Sequence, residues 1–302
     1  MSKNSKGIIS YLAITFGLAW LLWEIPLRLG NFEGTAMFQL IIVPGAFAPA
    51  IAAIVVRKWI TGEGFGDAAF HPRFRQSWKY YLFSLLLPFA VTATIAGLSI
   101  ASGTGKPNLE IQQSITAIIP GANVNPSMAS LLWLLLPFQF AFNAVIATPL
   151  LWGEEFGWRG YLQLRLFPER PLLAAVVTGI IWGVWHYPLN LRGYNYPEHP
   201  LLGLLVFPVS CILLSIILGW LRMRSGSIWT ACLAHSATNA IGGTLTLLLF
   251  LGRSDFLFTG YLGILSWLPL GALAAWIVFT GRLKASEVAT SSTENLLEET
   301  TS

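Results

Sequence analysis

The residues of this chain that could do chemistry fall into three clusters, each inside or at the end of an otherwise apolar run. Glu154, Glu155 and Arg159 form the first, Trp182 and His186 the second, and His235 and Asn239 the third. On a helix, Glu155 and Arg159 are four apart and can pair on one face, while Glu154 points about 100° away from Glu155 and has no local partner. The same spacing puts Trp182 with His186, and His235 with Asn239, one turn apart on a shared face. A carboxylate, two imidazoles and a carboxamide are the groups that activate a water and stabilise the oxyanion formed when it attacks a carbonyl. Glu154, His186 and His235 would equally make a three-ligand zinc set with an open position for water.

Each cluster taken alone has a plainer reading. A single histidine or asparagine in a membrane helix is commonly a hydrogen-bond partner for a neighbouring helix. A Glu-Glu-x3-Arg run can be a self-neutralised helix end, as Glu24 and Arg28 illustrate near the edge of the first apolar run. The three together are harder to dismiss, because ionisable groups at membrane depth face a bundle interior or a water-filled cavity and mark functional sites by default.

The elements that must position these groups are apolar helices. With 302 residues, 55% hydrophobic, 11% charged and 13 tryptophans, the composition is that of an all-α, polytopic transmembrane bundle and excludes a water-soluble domain. A bilayer core needs roughly 20 apolar residues per helix. On that rule eight spans are expected, over 7–29, 36–56, 78–101, 130–152, 171–187, 201–221, 228–251 and 261–280. The fourth can continue past Glu154 toward Leu166. Residues 1–284 read as one integral-membrane domain with its motif core at 150–240, and the Ser-, Thr- and Glu-rich 285–302 as a disordered cytoplasmic tail. The first run lacks a cleavage pattern and is expected to be a retained helix.

With the N-terminus inside, 14 of the 18 Lys and Arg residues fall on the cytoplasmic side and only Arg28, Lys106, Arg192 and Arg253 outside. Both termini are therefore expected in the cytoplasm, in a multi-pass inner-membrane protein. The net charge of +4 sits at membrane edges, which argues against a nucleic-acid partner, and no nucleotide cofactor is expected. Cys211 and Cys232 lie in apolar runs as small hydrophobes, not as a disulfide or a metal site.

These motifs resemble those of the CPBP intramembrane proteases, the group of CAAX prenyl proteases and bacteriocin-processing enzymes. That pattern is a Glu-Glu-x3-Arg, a Phe-x3-His and a His-x3-Asn on successive membrane helices, matched here by Glu154-Glu155-x3-Arg159, His186 and His235-x3-Asn239. Trp182 stands where the pattern usually has Phe. The extended Glu-Glu-x-Gly-Trp-Arg-Gly-x-Leu run points to a bacterial member. The resemblance implies an endopeptidase acting on membrane-associated proteins or peptides, with lipid as its surroundings. It implies Glu154 as the base that activates water, His186 assisting proton transfer, and His235 and Asn239 binding the water or the developing oxyanion. Glu155 and Arg159 would orient the first cluster, with Glu155 able to share the catalytic work. A metal-free glutamate mechanism is the expectation, with zinc on Glu154, His186 and His235 as the alternative. The site is expected to open to the cytoplasmic side. The rival reading is a transporter that uses the same groups as a proton relay.

A straight fifth helix starting at Pro171 carries His186 about 22 Å inward at 1.5 Å per residue, away from Glu154 and His235. A shared site requires that this mismatch be resolved.

Overall fold

A computed structural model describes residues 2–30, 36–118 and 125–283, and every regular element among them is helical. The expected tail at 285–302 lies outside the described residues. The main helices are α1 (Lys3–Leu29), α2 (Ala36–Ala46), α3 (Ala48–Val55), α4 (Phe74–Ser102), α5 (Ile111–Ile118), α6 (Pro126–Gly157), α7 (Pro171–Trp185), α8 (Pro200–Ser225), α9 (Ile228–Ala237), α10 (Thr244–Phe250) and α11 (Trp267–Phe279). Large apolar side chains such as Leu29, Phe138, Leu201 and Phe279 remain exposed around the outside, the surface that a lipid environment requires.

Among the described residues six helices are long and apolar enough to cross a membrane, two fewer than expected. Both shortfalls concern site-bearing segments. The fifth has 15 residues, about 22 Å, because Pro188 cannot continue the ladder and the helix stops at His186. The seventh runs from Ile228 to Phe250 only by way of a π-helical stretch, Thr238–Gly243. The fourth extends as foreseen, through a second π stretch at Trp158–Leu162 to Arg165.

This arrangement resolves the depth mismatch. Glu154 lies 11 residues before Arg165, about 17 Å from that end of its helix, so α6 brings it to a depth similar to that of His186. α9 starts deep, because Gly226 ends α8 in a left-handed turn and Ser227 caps the next helix beneath the 61–73 segment. Ile228 donates its backbone N–H to Ala69 and Trp229 its indole N–H to Phe70, at 2.9 and 2.7 Å.

The structure folds the 61–73 segment into a latch. Arg57, fully buried on a third π stretch at Val56–Ile60, reaches Asp67 at 2.8 Å and the Gly160 carbonyl at 2.8 Å. Arg165 joins Glu63 and Asp67 at 2.8 and 3.1 Å. Burial alone would push the Asp67 carboxyl up, but the hydrogen bond and charge of Arg57, with Arg165 beside it, hold it below the usual carboxylate range.

Two pairs of glycines one turn apart let the site-bearing helices approach closely. A Cβ on Gly153 would lie 2.9 Å from the Ala46 carbonyl oxygen, and one on Gly157 would lie 2.6 Å from the Tyr11 hydroxyl. Gly179 and Gly183 of α7 face the α8 backbone in the same way, 2.5 Å from Ile212 Cα and 2.6 Å from Pro208 Cα. This is the small-residue packing by which membrane helices associate.

Two outcomes follow. Gly157→Leu overpacks this contact and lowers stability in detergent by about 1–3 kcal/mol, whereas Gly97→Ala, with nothing within 4 Å, leaves the melting temperature unchanged. The folded Asp67 carboxyl titrates below its unfolded value, so its contribution is present above about pH 4 and is lost as the pH falls through the folded value. Melting curves at falling pH therefore show acid destabilisation that Asp67→Asn partly flattens.

Candidate functional site

The helix contacts bring all three clusters to one cavity in the bundle interior. Its volume is about 90 Å³, and Glu154, His186, His235 and Asn239 are on its wall. Glu155 and Arg159 stand behind that wall, with side chains showing no exposure. The roughly 100° turn between consecutive residues thus separates the adjacent carboxylates into one facing the cavity and one facing the protein.

Glu155 forms the interior half of the site. Its Oε1 accepts from Arg159 Nη1 at 3.0 Å, the expected i,i+4 pair, and also meets His235 Nδ1 at 2.9 Å. The Arg159 guanidinium lies over the Trp182 ring, 4.6 Å from its centroid, and that ring meets the His235 imidazole edge-on at 5.1 Å. One carboxylate thereby fixes the arginine of its own helix and the histidine of α9.

Glu154 has a different partner. The Trp182 indole N–H donates to its Oε2 at 2.8 Å, leaving Oε1 without a protein partner among the described residues. His186 ends α7 with Nδ1 3.0 Å from the Trp182 carbonyl. Since a carbonyl only accepts, Nδ1 carries the proton and the Nε2 of a neutral His186 is an acceptor. The imidazole is held edge-on by Trp185 at 4.7 Å and Phe207 at 4.9 Å, so its rotation is blocked. Asn239, on the π stretch Thr238–Gly243, is exposed and its carboxamide has no partner among the described residues.

Three arrangements differ from the sequence expectation. First, Trp182 is more than an aromatic replacing an aromatic, because its N–H is the group that holds Glu154; the signal was the single difference between Trp and Phe in polar atoms. Second, Tyr194 was missed, and no motif points to it. It lines the cavity, and burial, with the Glu154 charge adding to it, pushes its phenol up to about 12, so it is a permanent O–H donor at neutral pH. Third, the cavity does not lead to the face carrying the N-terminus. Tyr194, Asn195, Thr238, Asn239 and Leu262 are shared with a vestibule of about 830 Å³ that opens at the other end of the bundle. The N-terminal face carries the 61–73 latch instead, with Phe70 and Phe65 packed on Phe156 at 5.2 and 6.2 Å.

A metal would need three donors converging on one point. Among the described residues no group of three His, Cys, Asp or Glu side chains does so. Glu154, His186 and His235 share the cavity, with Nδ1 of both histidines and one Glu154 oxygen engaged by protein groups, which leaves the two Nε2 atoms and Glu154 Oε1 as the donors not so engaged.

The motif-bearing part of the chain has recognisable relatives. Residues 129–241 match the family model described as type II CAAX prenyl endopeptidase Rce1-like. The chain is also similar to the CAAX prenyl protease 2 of Methanococcus maripaludis, at 27% identity over 241 residues that cover 76% of this chain and 81% of the relative.

The Trp182 hydrogen bond is testable by substitution. Trp182→Phe keeps an aromatic ring and removes the indole N–H; a hydrogen bond to a charged group is worth about 1.5–3 kcal/mol. Peptide hydrolysis by purified protein is expected to show kcat falling on the order of ten-fold or more, with KM little changed.

Proposed function

We propose that this multi-pass membrane protein, whose residues 129–241 match the Rce1-like CAAX prenyl endopeptidase model, is an intramembrane protease of the CPBP type that hydrolyses peptide bonds with a water activated by Glu154 and no metal. The observation that carries the reading is the division of labour between the paired carboxylates. Glu155 is locked to Arg159 and His235, whereas Glu154 presents an oxygen without a protein partner to a cavity that also holds two imidazoles and a carboxamide.

In this mechanism a water between Glu154 and His186 gives a proton to the Glu154 carboxylate as its oxygen adds to the scissile carbonyl carbon. Negative charge develops on the carbonyl oxygen and is met by the Asn239 carboxamide N–H, while His235, whose Nδ1–H is held by Glu155, presents its acceptor Nε2 to the water. Collapse of the tetrahedral intermediate breaks the C–N bond. The amine leaves with the proton taken up by Glu154, relayed by His186 with its acceptor Nε2. Glu155 and Arg159 are positioning residues that act through His235 and Trp182.

The substrate class is a protein or peptide reaching the bundle through or beside the membrane. The relative's name couples that chemistry to CAAX prenyl substrates. For this chain we favour a peptide or membrane-protein precursor, in the inner membrane of a bacterium, as the extended Glu154–Leu162 run suggests.

Cleavage of a fluorogenic peptide library by detergent-purified protein tests the reading. Glu154→Ala is expected to lose at least about 10³-fold while a strong chelator leaves the wild-type rate unchanged. Loss of wild-type activity on chelation, restored by zinc, would overturn the metal-free assignment.

A further inference from the structure

We propose that the site receives its substrate from the non-cytoplasmic face, so that the bond cleaved lies in an extracytoplasmic segment next to a membrane anchor and not in a cytosolic tail. The cleavage part of this statement rests on the peptidase reading; the direction of opening does not.

Two faces of the bundle are defined by contacts between chain ends. On one, the Asn4 amide donates to the Arg165 carbonyl at 3.2 Å and Ser77 to the Ser225 carbonyl at 2.9 Å, so the N-terminus, the 61–73 latch and the α8–α9 turn lie together. On the other, Arg192 pairs with Glu24 at 2.7 Å, the Asn108 N–H donates to the Leu249 carbonyl at 2.7 Å, and Tyr196 donates to the Leu262 carbonyl at 2.7 Å. Arg159 is interior and belongs to neither. With it set aside, 12 of the described Lys and Arg residues lie on the first face and four on the second. That asymmetry orients the first face to the cytoplasm.

The route from Glu154 differs sharply between the two directions. Toward the basic face, Phe156 is fully buried, stacked on Trp152 at 5.0 Å and an interplanar angle of 3°, and covered by Phe65 and Phe70 of the latch. Arg57 and Arg165 fasten that cover through Asp67 and Glu63, and Arg222 adds a hydrogen bond to the Asp67 carbonyl. Toward the other face, Tyr194, Asn195 and Asn239 pass directly from the site cavity into the vestibule.

The vestibule's chemistry fits an extended peptide. At about 830 Å³ it falls in the range of built ligand sites. Its walls join aliphatic Leu247, Leu251 and Leu262 to hydroxyls, amides and aromatic rings, among them Tyr196, Thr244 and Tyr261, with Arg192 and Glu198 as its charged residues. Such walls offer hydrogen bonds to a backbone without selecting strongly for charge. A substrate held by its membrane anchor and lying extended along this wall would present a bond to Asn239 and Glu154.

Cysteine accessibility in sealed vesicles decides the direction. Thr244→Cys places a thiol in the vestibule and His71→Cys marks the latch face, while the native Cys211 and Cys232 are buried and the unmodified chain gives the background. A membrane-impermeant maleimide is expected to label Thr244→Cys at least five-fold faster in right-side-out than in inside-out vesicles, with the reverse for His71→Cys. Labelling of Thr244→Cys from the inside-out orientation, or of both variants from one side, overturns the proposal. Glu154→Ala added to each variant should leave the labelling pattern intact, so the result stands whether or not the chain is a peptidase. An impermeant fluorogenic peptide outside right-side-out vesicles should then be cleaved, and cleavage confined to inside-out vesicles would refute the substrate assignment. Absence of cleavage in both, with labelling as expected, would count against the peptidase reading alone.

Discussion

The Glu155 carboxylate, shared by Arg159 and His235 in the bundle interior, is the interaction on which the rest of this structure depends. An ionised pair so deeply buried is costly unless geometry and further contacts compensate it, and removing one partner leaves a charge with nowhere to go. Compensation here comes from the two bonds to Oε1 and from the Trp182 ring lying on the guanidinium. It is incomplete: Glu155 Oε2 and Arg159 Nε and Nη2 have no hydrogen-bond partner among the described residues. A group placed this way contributes little to stability. What it contributes is position, because α6 and α9 are tied at the level where Glu154 and His235 face the same cavity.

Such a tie needs helices close enough to share one carboxylate. The glycine pairs Gly153 and Gly157, and Gly179 and Gly183, seat α6 against α1–α3 and α7 against α8 by removing Cβ atoms where the chains meet, which holds the helices carrying Glu155 and His186 in the bundle. The aromatic residues then fill the space that close packing leaves around the imidazoles. Trp185 packs on Trp23 at 4.5 Å and on Trp158 at 5.6 Å, and all three are essentially buried. Trp23, Trp158 and Trp185 therefore form the inner frame of the site. Trp59 and Trp78 remain exposed, as a belt requires.

Helix content, membrane placement and the convergence of the clusters were legible because each follows from local pattern: apolar length, four-residue spacing and the cost of a charge at depth. The Glu155–Arg159 pair and the separation of Glu154 from it are consequences of helical periodicity alone. The latch was illegible because its partners are far apart in the chain: Arg57 meets Gly160 across 103 residues, and Arg165 meets Glu63 across 102. Which end of the bundle is sealed was illegible for a related reason. Charge counting reports which face is cytoplasmic, but which face is sealed depends on where 61–73 folds, and Glu63, Asp67 and Arg73 in that segment do not name their partners.

The departures from regular helix follow one logic. Backbone that leaves the α-helical ladder within a membrane is tolerated where it is buried in protein or lines a cavity. The π stretches at Trp158–Leu162 and Thr238–Gly243 carry Arg159 and Asn239, and the early stop of α7 carries His186. A regular α6 would advance Arg159 with the same 100° step as its neighbours, and a fifth helix of full length would bury His186 within a continuous turn. The two π stretches begin directly after Gly157 and Ala237, and α7 stops at Trp185, so all three motifs lie where a regular ladder ends. The irregular turns lie where the chemistry requires side chains to converge, and the regular turns on either side hold the cavity in place.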